Sequence, residues 1–179
     1  MRGIILHCEV LMKNLLSVLI LFALLPISGA AGEKTDSTKG KAELKWMTFN
    51  AGLSEAKKTD KKILVDFYTD WCGWCKRLDR DVYGNEKIAG YLKDRYVAIK
   101  LNAESGDTLR YKNKVYSQIQ LAQSFGVSGY PTIVFFDSNG DVINSLGGYL
   151  PPDRFLPVVQ FIGENYYKKM SWEDYQKQK

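Results

Sequence analysis

Two cysteines, Cys72 and Cys75, stand three residues apart, with Gly73 and Trp74 between them. An apolar run typical of a buried strand comes just before the pair, and a helical segment begins at it. Residues three apart on a helix share a face, which brings their Cα atoms within the roughly 4.4–6.8 Å that a disulfide needs. A helix N-terminus also carries unpaired N–H groups and a partial positive charge, and both stabilise a thiolate. The spacing therefore predicts thiol–disulfide exchange.

The placement predicts different roles for the two thiols. Cys72, at the helix N-terminus, is expected to be the exposed nucleophile, and Cys75, one turn inside, the buried resolving thiol. Gly73 is expected to let the backbone turn tightly and leave Cys72 uncovered. The alternative is a purely structural bridge. Closing about four residues stabilises a fold by only about 2 kcal/mol, against about 3 kcal/mol for a fifteen-residue loop. A redox role is therefore favoured.

The N-terminus has the pattern of an export signal. Lys13 precedes the apolar run Leu15–Leu25, and Pro26 and several small residues follow. This order predicts a signal peptide over residues 1–31, with Met12 as a possible true start. The run is shorter than the roughly 20 residues of a membrane span, and an uncleaved anchor is the alternative. The protein is therefore expected to be exported, either to a periplasm or as a secreted protein.

Removal of this leader would leave a chain with two cysteines and no histidine, because His7 and Cys8 lie within it. Hydrolases with a histidine base are then excluded. A haem c site needs a histidine after the second cysteine, where Lys76 stands. A structural zinc site needs about four ligands, so no metal is expected. The net charge of +5 is spread along the chain, which argues against nucleic-acid binding.

The remaining chain predicts a single α/β domain. Residues 32–42 are polar and are predicted to be a flexible tether, 43–168 the domain, and 169–179 a polar C-terminal tail. Apolar runs and helical segments follow one another in the order β-α-β-α-β-α-β-β-α. The predicted strands are Leu44–Phe49, Ile63–Tyr68, Tyr96–Leu101, Thr132–Phe136 and Val142–Leu146, and the main predicted helices are Leu53–Thr59, Cys75–Arg95 with a break near Gly84, and Pro152–Tyr166.

Two features fix how these segments connect. Ile63–Tyr68 and Tyr96–Leu101 are buried-type strands around a helix, which is a βαβ unit and hence a parallel pair. Asn139-Gly140 between two strand-like runs predicts an antiparallel hairpin.

Two segments carry a resemblance to a known family. Residues 63–76, from Ile63-Leu64-Val65 to Trp71-Cys72-Gly73-Trp74-Cys75-Lys76, resemble the active-site segment of thioredoxins. Gly129-Tyr130-Pro131-Thr132 is similar to the family's cis-proline loop. The resemblance covers about residues 44–166 and implies a thioredoxin fold, a central mixed β-sheet flanked by helices. The Cys-Gly-Trp-Cys core and the long 102–120 connection resemble the exported thioredoxin-like branch more than cytosolic thioredoxin.

The resemblance implies further site residues. Asp66 would be the buried acid beneath Cys75, able to exchange a proton with it, and Lys100 would lie near that acid. Pro131 would sit opposite Cys72 in a cis peptide, leaving the neighbouring backbone free to pair with an extended substrate. The alternatives are that Asp66 faces solvent at the sheet margin and that the Lys100 side chain reaches outward to solvent.

Four residues around the sulfurs are expected to bind substrate together with Pro131. Trp71, Trp74 and Tyr130 would form an apolar rim, and Gly73 would keep the nucleophile open. The alternative for the aromatic residues is core packing. The polar connection Ala103–Ser117 follows the carboxyl end of a parallel strand, where ligands of open α/β sheets bind, and is expected near this rim, influencing the choice of client.

Two classes of function remain open. The first is an enzyme: a protein-disulfide reductase, oxidase or isomerase. The second is a peptide-holding, chaperone-like module whose cysteines are incidental. The enzyme would need no cofactor beyond the redox-active disulfide Cys72–Cys75. Its partners would be client proteins with disulfides or thiols and a membrane thiol-reducing donor, and it is expected to be a monomer.

Charge near the cysteines favours a reductant over a strong oxidant. Strong oxidants stabilise their reduced thiolate with extra positive charge or hydrogen-bond donors. Gly73 and Trp74 carry no charge, and Asp66 and Asp70 add negative charge nearby. A reduction potential below about −200 mV is therefore expected.

Overall fold

A computed structural model describes residues 43–178. The predicted signal peptide, the alternative start at Met12 and the predicted tether lie outside the described residues. Within them, the strands are β1 Trp46–Met47, β2 Lys62–Tyr68, β3 Tyr96–Asn102, β4 Thr108–Tyr111, β5 Lys114–Ser117, β6 Thr132–Phe136 and β7 Val142–Gly147. The α-helices are α1 Phe49–Thr59, α2 Gly73–Leu78, α3 Glu86–Arg95, α4 Gln118–Ser124, α5 Pro152–Gly163 and α6 Trp172–Gln176.

Five strands form one mixed sheet in the order β1-β3-β2-β6-β7. β2 pairs in parallel with β3 and antiparallel with β6, so it lies at the centre of the sheet. The five residues 63–67 of β2 are all buried, because helices cover both faces. The predicted parallel pair, the 139–140 hairpin and the mixed thioredoxin-type sheet are confirmed.

Alternation along the strands separates two apolar layers. On one face, Leu64 of β2 packs with Leu78 of α2 and Phe155 of α5. On the other face, Phe67 of β2 packs with Phe49 of α1 and Leu121 of α4. The segment that carries the two cysteines belongs to the first layer, since α2 covers that face.

The helical segment after the cysteines is divided into three parts. α2 runs directly into π-helical turns over Asp79–Tyr83, and α3 begins only after Gly84. A Cβ at Gly84 would lie 2.5 Å from the carbonyl oxygen of Arg80, so only glycine fits this close approach. Asn85 then caps α3 by accepting backbone N–H bonds from Lys87 and Ile88. The predicted break near Gly84 is confirmed.

The long connection after β3 contains structure that the sequence did not predict. β4 and β5 form an antiparallel hairpin whose turn places Lys112 and Asn113 in the left-handed region, at φ 45° and 65°. Leu109 of this hairpin is buried against the layer that contains Phe49, and Tyr111 and Tyr116 pack partly against the same layer. These few apolar residues stand among lysine, arginine and asparagine residues, which obscure the strand pattern in the sequence.

The prediction that residues 169–179 form a polar tail is wrong for the residues that the structure describes. α6 lies within this segment, capped by Ser171, and Tyr175 is 2% exposed. The Trp172 and Tyr175 rings lie 5.3 and 5.1 Å from the ring of Phe161 in α5. Two aromatic residues spaced three apart anchor the segment to the core, and the polar residues around them hid this in the sequence.

Other boundaries move by a few residues. α1 begins four residues earlier than predicted, at Phe49, and β1 is only two residues long. α5 ends at Gly163, three residues before the predicted end, because Asn165 adopts a left-handed φ of 61° that stops the helix.

Candidate active site

The two cysteines lie where the central strand meets a helix. β2 ends at Tyr68, and the Cys72 amide donates to the carbonyl oxygen of Thr69 at 3.2 Å. Cys72 is the N-cap of α2, and Cys75 lies in its first turn. Their sulfurs are joined in a disulfide, with the Cα atoms 5.3 Å apart. The Cys75 amide donates to Cys72 Sγ at 3.0 Å, so an unpaired helix N–H points at the predicted nucleophile.

The exposure expected for Cys72 is not found in the disulfide form. Cys72 is 4% exposed and Cys75 is 2% exposed, so both are buried. In this form Cys72 Sγ is bonded to the Cys75 sulfur and accepts the Cys75 amide, so it lies against the first turn of α2. Gly73 has an ordinary backbone conformation, and a Cβ there would meet nothing within 4 Å. The backbone at this position therefore does not require glycine, and the missing side chain leaves the surface beside the disulfide open.

Asp66 lies in the middle of β2 with 0% exposure, which removes the solvent-facing alternative. It shares a sheet face with Leu64, which packs against Leu78, and Leu78 shares a helix face with Cys75. The carboxyl therefore points into the layer beneath the helix that carries the cysteines. Burial raises the pKa of Asp66 to about 7, although Lys100 opposes the shift.

Lys100 pairs with Asp66 across the parallel strands, and its side chain is 20% exposed and held between two carboxylates, so it does not extend freely into solvent. Its Nζ lies 3.5 Å from Asp66 Oδ2 but only 2.6 Å from each carboxylate oxygen of Asp79. The rings of Trp46 and Tyr68 lie 5.1 and 4.9 Å from the same nitrogen. Asp79 is a further site residue that was not predicted, although its position four residues after Cys75 in the helical segment was a usable signal.

Pro131 follows a cis peptide bond at the same end of the sheet as the disulfide. Thr132, the first residue of β6, pairs with Phe67 near the end of β2. The Gly148 amide donates to the Pro131 carbonyl oxygen at 2.8 Å, which extends the pairing of β6 with β7 by one residue. Pro131 and the cysteines therefore emerge from neighbouring strand ends.

Trp71 and Tyr130 form one side of the rim. Their ring centroids are 6.0 Å apart in an edge-to-face contact. Trp71 is 68% exposed, which removes core packing as its role. Its indole N–H donates to both carboxylate oxygens of Glu104, at 2.9 and 3.0 Å. Glu104, which the sequence analysis did not single out, fixes the orientation of an exposed aromatic ring.

Trp74 and Tyr149 form the other side, with ring centroids 5.4 Å apart. Trp74 is 55% exposed, so it too does not pack in the core. The Arg77 guanidinium lies 5.2 Å from the Trp74 ring and 5.1 Å from the Tyr149 ring. Asp81 accepts a bond from Arg77 at 3.2 Å and holds the guanidinium there. Arg77 and Tyr149 are further rim residues that the sequence analysis missed.

The 103–117 connection meets the expected rim only at its beginning. Glu104 reaches Trp71, but Lys112 at the hairpin tip pairs with Asp141 at 2.6 Å. Asp141 lies in the turn between β6 and β7, beside the start of β2 and at the opposite end from the cysteines. The expectation that this connection lies near the rim therefore holds for Glu104 and is wrong for the tip of the hairpin. The hairpin runs along the sheet, because Leu109 anchors it to the apolar layer.

Two negative findings concern residues 43–178. Within that range, no group of three His, Cys, Asp or Glu side chains is arranged to hold a metal ion. None of the helices described there has the length and hydropathy needed to cross a bilayer.

Residues 49–163 match the thioredoxin-like domain. This chain belongs to the thioredoxin-like family. The resemblance seen in the cysteine and proline segments is thus confirmed, and the fold is the thioredoxin fold.

The relatives of this thioredoxin-like protein are named for thiol–disulfide chemistry or for their likeness to thioredoxin. Over 121 residues it is 33% identical to the chloroplastic thioredoxin-like protein HCF164 of rice, covering 67% of this chain and 41% of that protein. Over 112 residues it is 30% identical to the thiol:disulfide interchange protein DsbD of Vibrio vulnificus, covering 62% and 17%. The matches thus span less than half of either relative.

A solved structure agrees with this family. A thioredoxin-fold protein from Helicobacter pylori superposes with a TM-score of 0.58 at 31% identity, covering 67% of this chain and 80% of that one. The general class, a thiol–disulfide oxidoreductase family of the thioredoxin type, is therefore established.

Proposed function

We propose that this thioredoxin-like protein is a protein-disulfide reductase that works outside the cytosol by mixed-disulfide exchange. The observation that carries the proposal is the Cys72–Cys75 pair at the N-terminus of α2, set over the buried carboxyl of Asp66. A structural bridge would need no titratable group in the layer beneath it. A buried acid whose pKa lies near 7 can accept and return a proton at neutral pH.

The reaction begins with the reduced protein. The Cys72 thiolate attacks a client disulfide, forming a mixed disulfide and releasing one client thiolate, which takes a proton from solvent. The Cys75 thiol gives its proton to the Asp66 carboxylate, and the Cys75 thiolate attacks Cys72 Sγ. The bond from Cys72 to the client breaks, and the second client thiolate leaves with the electron pair. The client is reduced by two electrons, and the protein now holds the Cys72–Cys75 disulfide.

The next cycle requires a dithiol donor that reduces this disulfide. We propose that the donor is a membrane thiol-reducing partner, because an exported protein has no access to cytosolic reductants. The export pattern of residues 1–31 and the similarity to a thiol:disulfide interchange protein support this assignment. The chain is proposed to act as a monomer.

The rim is proposed to hold the client. Trp71 and Tyr130 on one side and Trp74 on the other offer apolar surface beside the disulfide. The backbone next to Pro131 is proposed to pair with an extended client segment, as in strand addition. Gly73 leaves room for the client backbone over the cysteines.

The charge around the nucleophile supports the reducing direction. Among residues 43–178, the hydrogen bond that Cys72 Sγ accepts comes from a neutral backbone amide. Glu104 and Asp70 border the site with negative charge, and Arg77 is held by Asp81. The thiolate is therefore less stabilised than in strong oxidants, which corresponds to a potential below about −200 mV.

Three measurements test the proposal: the reduction potential, covalent trapping of clients, and peptide binding without the cysteines. Equilibration with glutathione of known ratio gives the potential, and a value near −120 mV would identify an oxidase instead. In insulin reduction and client trapping, the Cys75→Ser variant should accumulate covalent client complexes and the Cys72→Ser variant none. Equal trapping by both would contradict the assigned roles. Peptide binding that survives in a Cys72→Ser/Cys75→Ser variant, with no reductase activity in the wild type, would favour a chaperone-like module.

A further inference from the structure

One lysine serves two carboxylates on the face of the sheet beneath the cysteines. Lys100 Nζ donates to both oxygens of Asp79 at 2.6 Å, whereas Asp66 Oδ2 is 3.5 Å away. Neither oxygen of Asp66 accepts a hydrogen bond with adequate geometry from the described residues. The Lys100 ammonium therefore hydrogen-bonds to Asp79, on the π-helical turns. The buried Asp66 on β2 has only a longer electrostatic contact with it.

The three side chains form a path of increasing exposure. The Asp66 side chain is 0% exposed, that of Lys100 20%, and that of Asp79 43%. The rings of Trp46 and Tyr68 lie about equally far from the ammonium, at 5.1 and 4.9 Å. The Lys100 ammonium lies between these two rings, which limit its movement to the line from Asp66 to Asp79. Its position on that line depends on which of the two carboxylates binds it.

The titratable and charged groups facing Asp66 come from three elements. Lys100 belongs to β3, Asp79 and Tyr83 to the π-helical turns, and Cys75 to α2. The Tyr83 hydroxyl is buried without a hydrogen-bond partner among the described residues, so it does not stabilise a charged carboxylate. Lys100 favours ionisation of Asp66, and Asp79 opposes it.

We propose that Asp79 is a positioning residue that acts through Lys100: it draws the ammonium toward solvent and away from Asp66. Asp66 is thereby left without a hydrogen-bonded cation and stays a strong enough base to take the Cys75 proton. This inference rests on the proposed role of Asp66 in resolving the mixed disulfide. Loss of the Asp79 charge should let Lys100 approach Asp66 and make its carboxylate a weaker base.

Asp81 provides a matched control on the same π-helical turns. Its carboxylate pairs with Arg77 at 3.2 Å and with Arg80 at 2.7 Å, and it makes no contact with Lys100. Asp79→Asn and Asp81→Asn therefore remove the same charge from neighbouring positions, but only the first change frees the ammonium. Asp79→Glu keeps the charge and serves as the conservative rescue.

Two readouts are compared in wild type and the three variants. The first is the pH titration of the Asp66 carboxyl carbon, followed by ¹³C NMR in the dithiol state. The second is the rate at which Cys75 resolves a mixed disulfide between Cys72 and thionitrobenzoate, followed from pH 4 to 9 by release of the coloured thiolate. In Asp79→Asn, both midpoints should fall by about one pH unit, and the plateau rate should fall about two- to threefold.

The controls decide the outcome. Asp81→Asn and Asp79→Glu should keep the wild-type midpoints. Equal midpoints in Asp79→Asn and Asp81→Asn would overturn the inference. The NMR titration needs no client and no turnover, so it tests Asp79 even if the protein lacks reductase activity. A shifted NMR midpoint with a pH-independent resolution rate would support the role of Asp79 and refute that of Asp66.

Discussion

The two faces of the central sheet are built from the same strands but differ in the side chains that they bury. On the face covered by α1 and α4, β2 presents Ile63, Val65 and Phe67, all 0% exposed. On the face covered by α2, the same strand presents Leu64 and then Asp66. The first face is continuous apolar core. The second interrupts its core with a buried acid at the point where the cysteines follow.

The difference shows that a single strand can contribute apolar core on one face of the sheet and a reactive group on the other, because its side chains alternate between the faces. Successive side chains point to opposite faces, so a charged group on one face leaves the other intact. A buried carboxylate destabilises the fold unless it is paired or neutral. The apolar face has no such group, and it provides burial that offsets the acid behind the active site.

The largest expected effect is on the apolar face. Phe67→Ala removes a fully buried ring whose centroid lies 6.1 Å from that of the Phe125 ring. The change should lower the free energy of unfolding by about 3–5 kcal/mol. Because no titratable group is involved, the loss should be the same at pH 5 and pH 8. Urea unfolding of the oxidised protein measures it. A loss that changes by several kcal/mol between these pH values would contradict the division between the faces.

On the other face, Asp66→Asn should change stability in the opposite direction above neutral pH. Because burial raises the pKa of Asp66 to about 7, the folded state holds the proton more tightly than the unfolded state. Wild-type stability should therefore fall as pH rises from about 4 to about 8, by something on the order of 4 kcal/mol, and stay low above that. The variant should lack this decline. Urea unfolding of both oxidised proteins across this range would show it, and parallel curves would exclude a raised pKa.

Lys100→Met should sharpen the contrast by removing the cation that, among residues 43–178, lies beside Asp66. Lys100 favours the charged form, so its loss should raise the pKa of Asp66 further. The midpoint of mixed-disulfide resolution should then move up by about one pH unit, opposite to the shift expected for Asp79→Asn. Lys45→Met, at an exposed position before β1, is the control and should leave the midpoint in place. A downward shift in Lys100→Met would show that Lys100 does not act on Asp66.

The smallest expected effect lies at the rim, away from both cores. Glu104→Ala frees the Trp71 indole and should raise the KM for insulin about threefold with kcat little changed, because an exposed hydrogen bond contributes about 1 kcal/mol or less. Glu104→Gln keeps an acceptor oxygen and should stay near the wild-type KM. If the two variants behave alike, the charge of Glu104 matters rather than its hold on the ring.

Much of the sheet could be predicted from the sequence because its strands are buried on both faces. β6 is a continuous apolar run, β2 and β3 are apolar runs interrupted mainly by Asp66 and Lys100, and the boundaries of all three moved by at most one residue. The β4–β5 hairpin and α6 could not be found in this way. Each is held by a few buried or partly buried side chains among polar neighbours, mainly Leu109 and Tyr111 in the hairpin and Trp172 and Tyr175 in α6. So few apolar residues give only a short and weak hydrophobic pattern in the sequence.

The sequence by itself determined the chemistry: two thiols three apart after a buried strand, with an acid inside that strand. Spacing and burial are local properties, and local sequence carries them. Only the tertiary structure decided which charges meet. Asp66, Asp79 and Lys100 come from β2, the turns after α2, and β3, and their contacts depend on how the helix packs across the sheet. Glu104 reaches Trp71 for the same reason: neighbouring parallel strands end together, although 33 residues separate the two side chains.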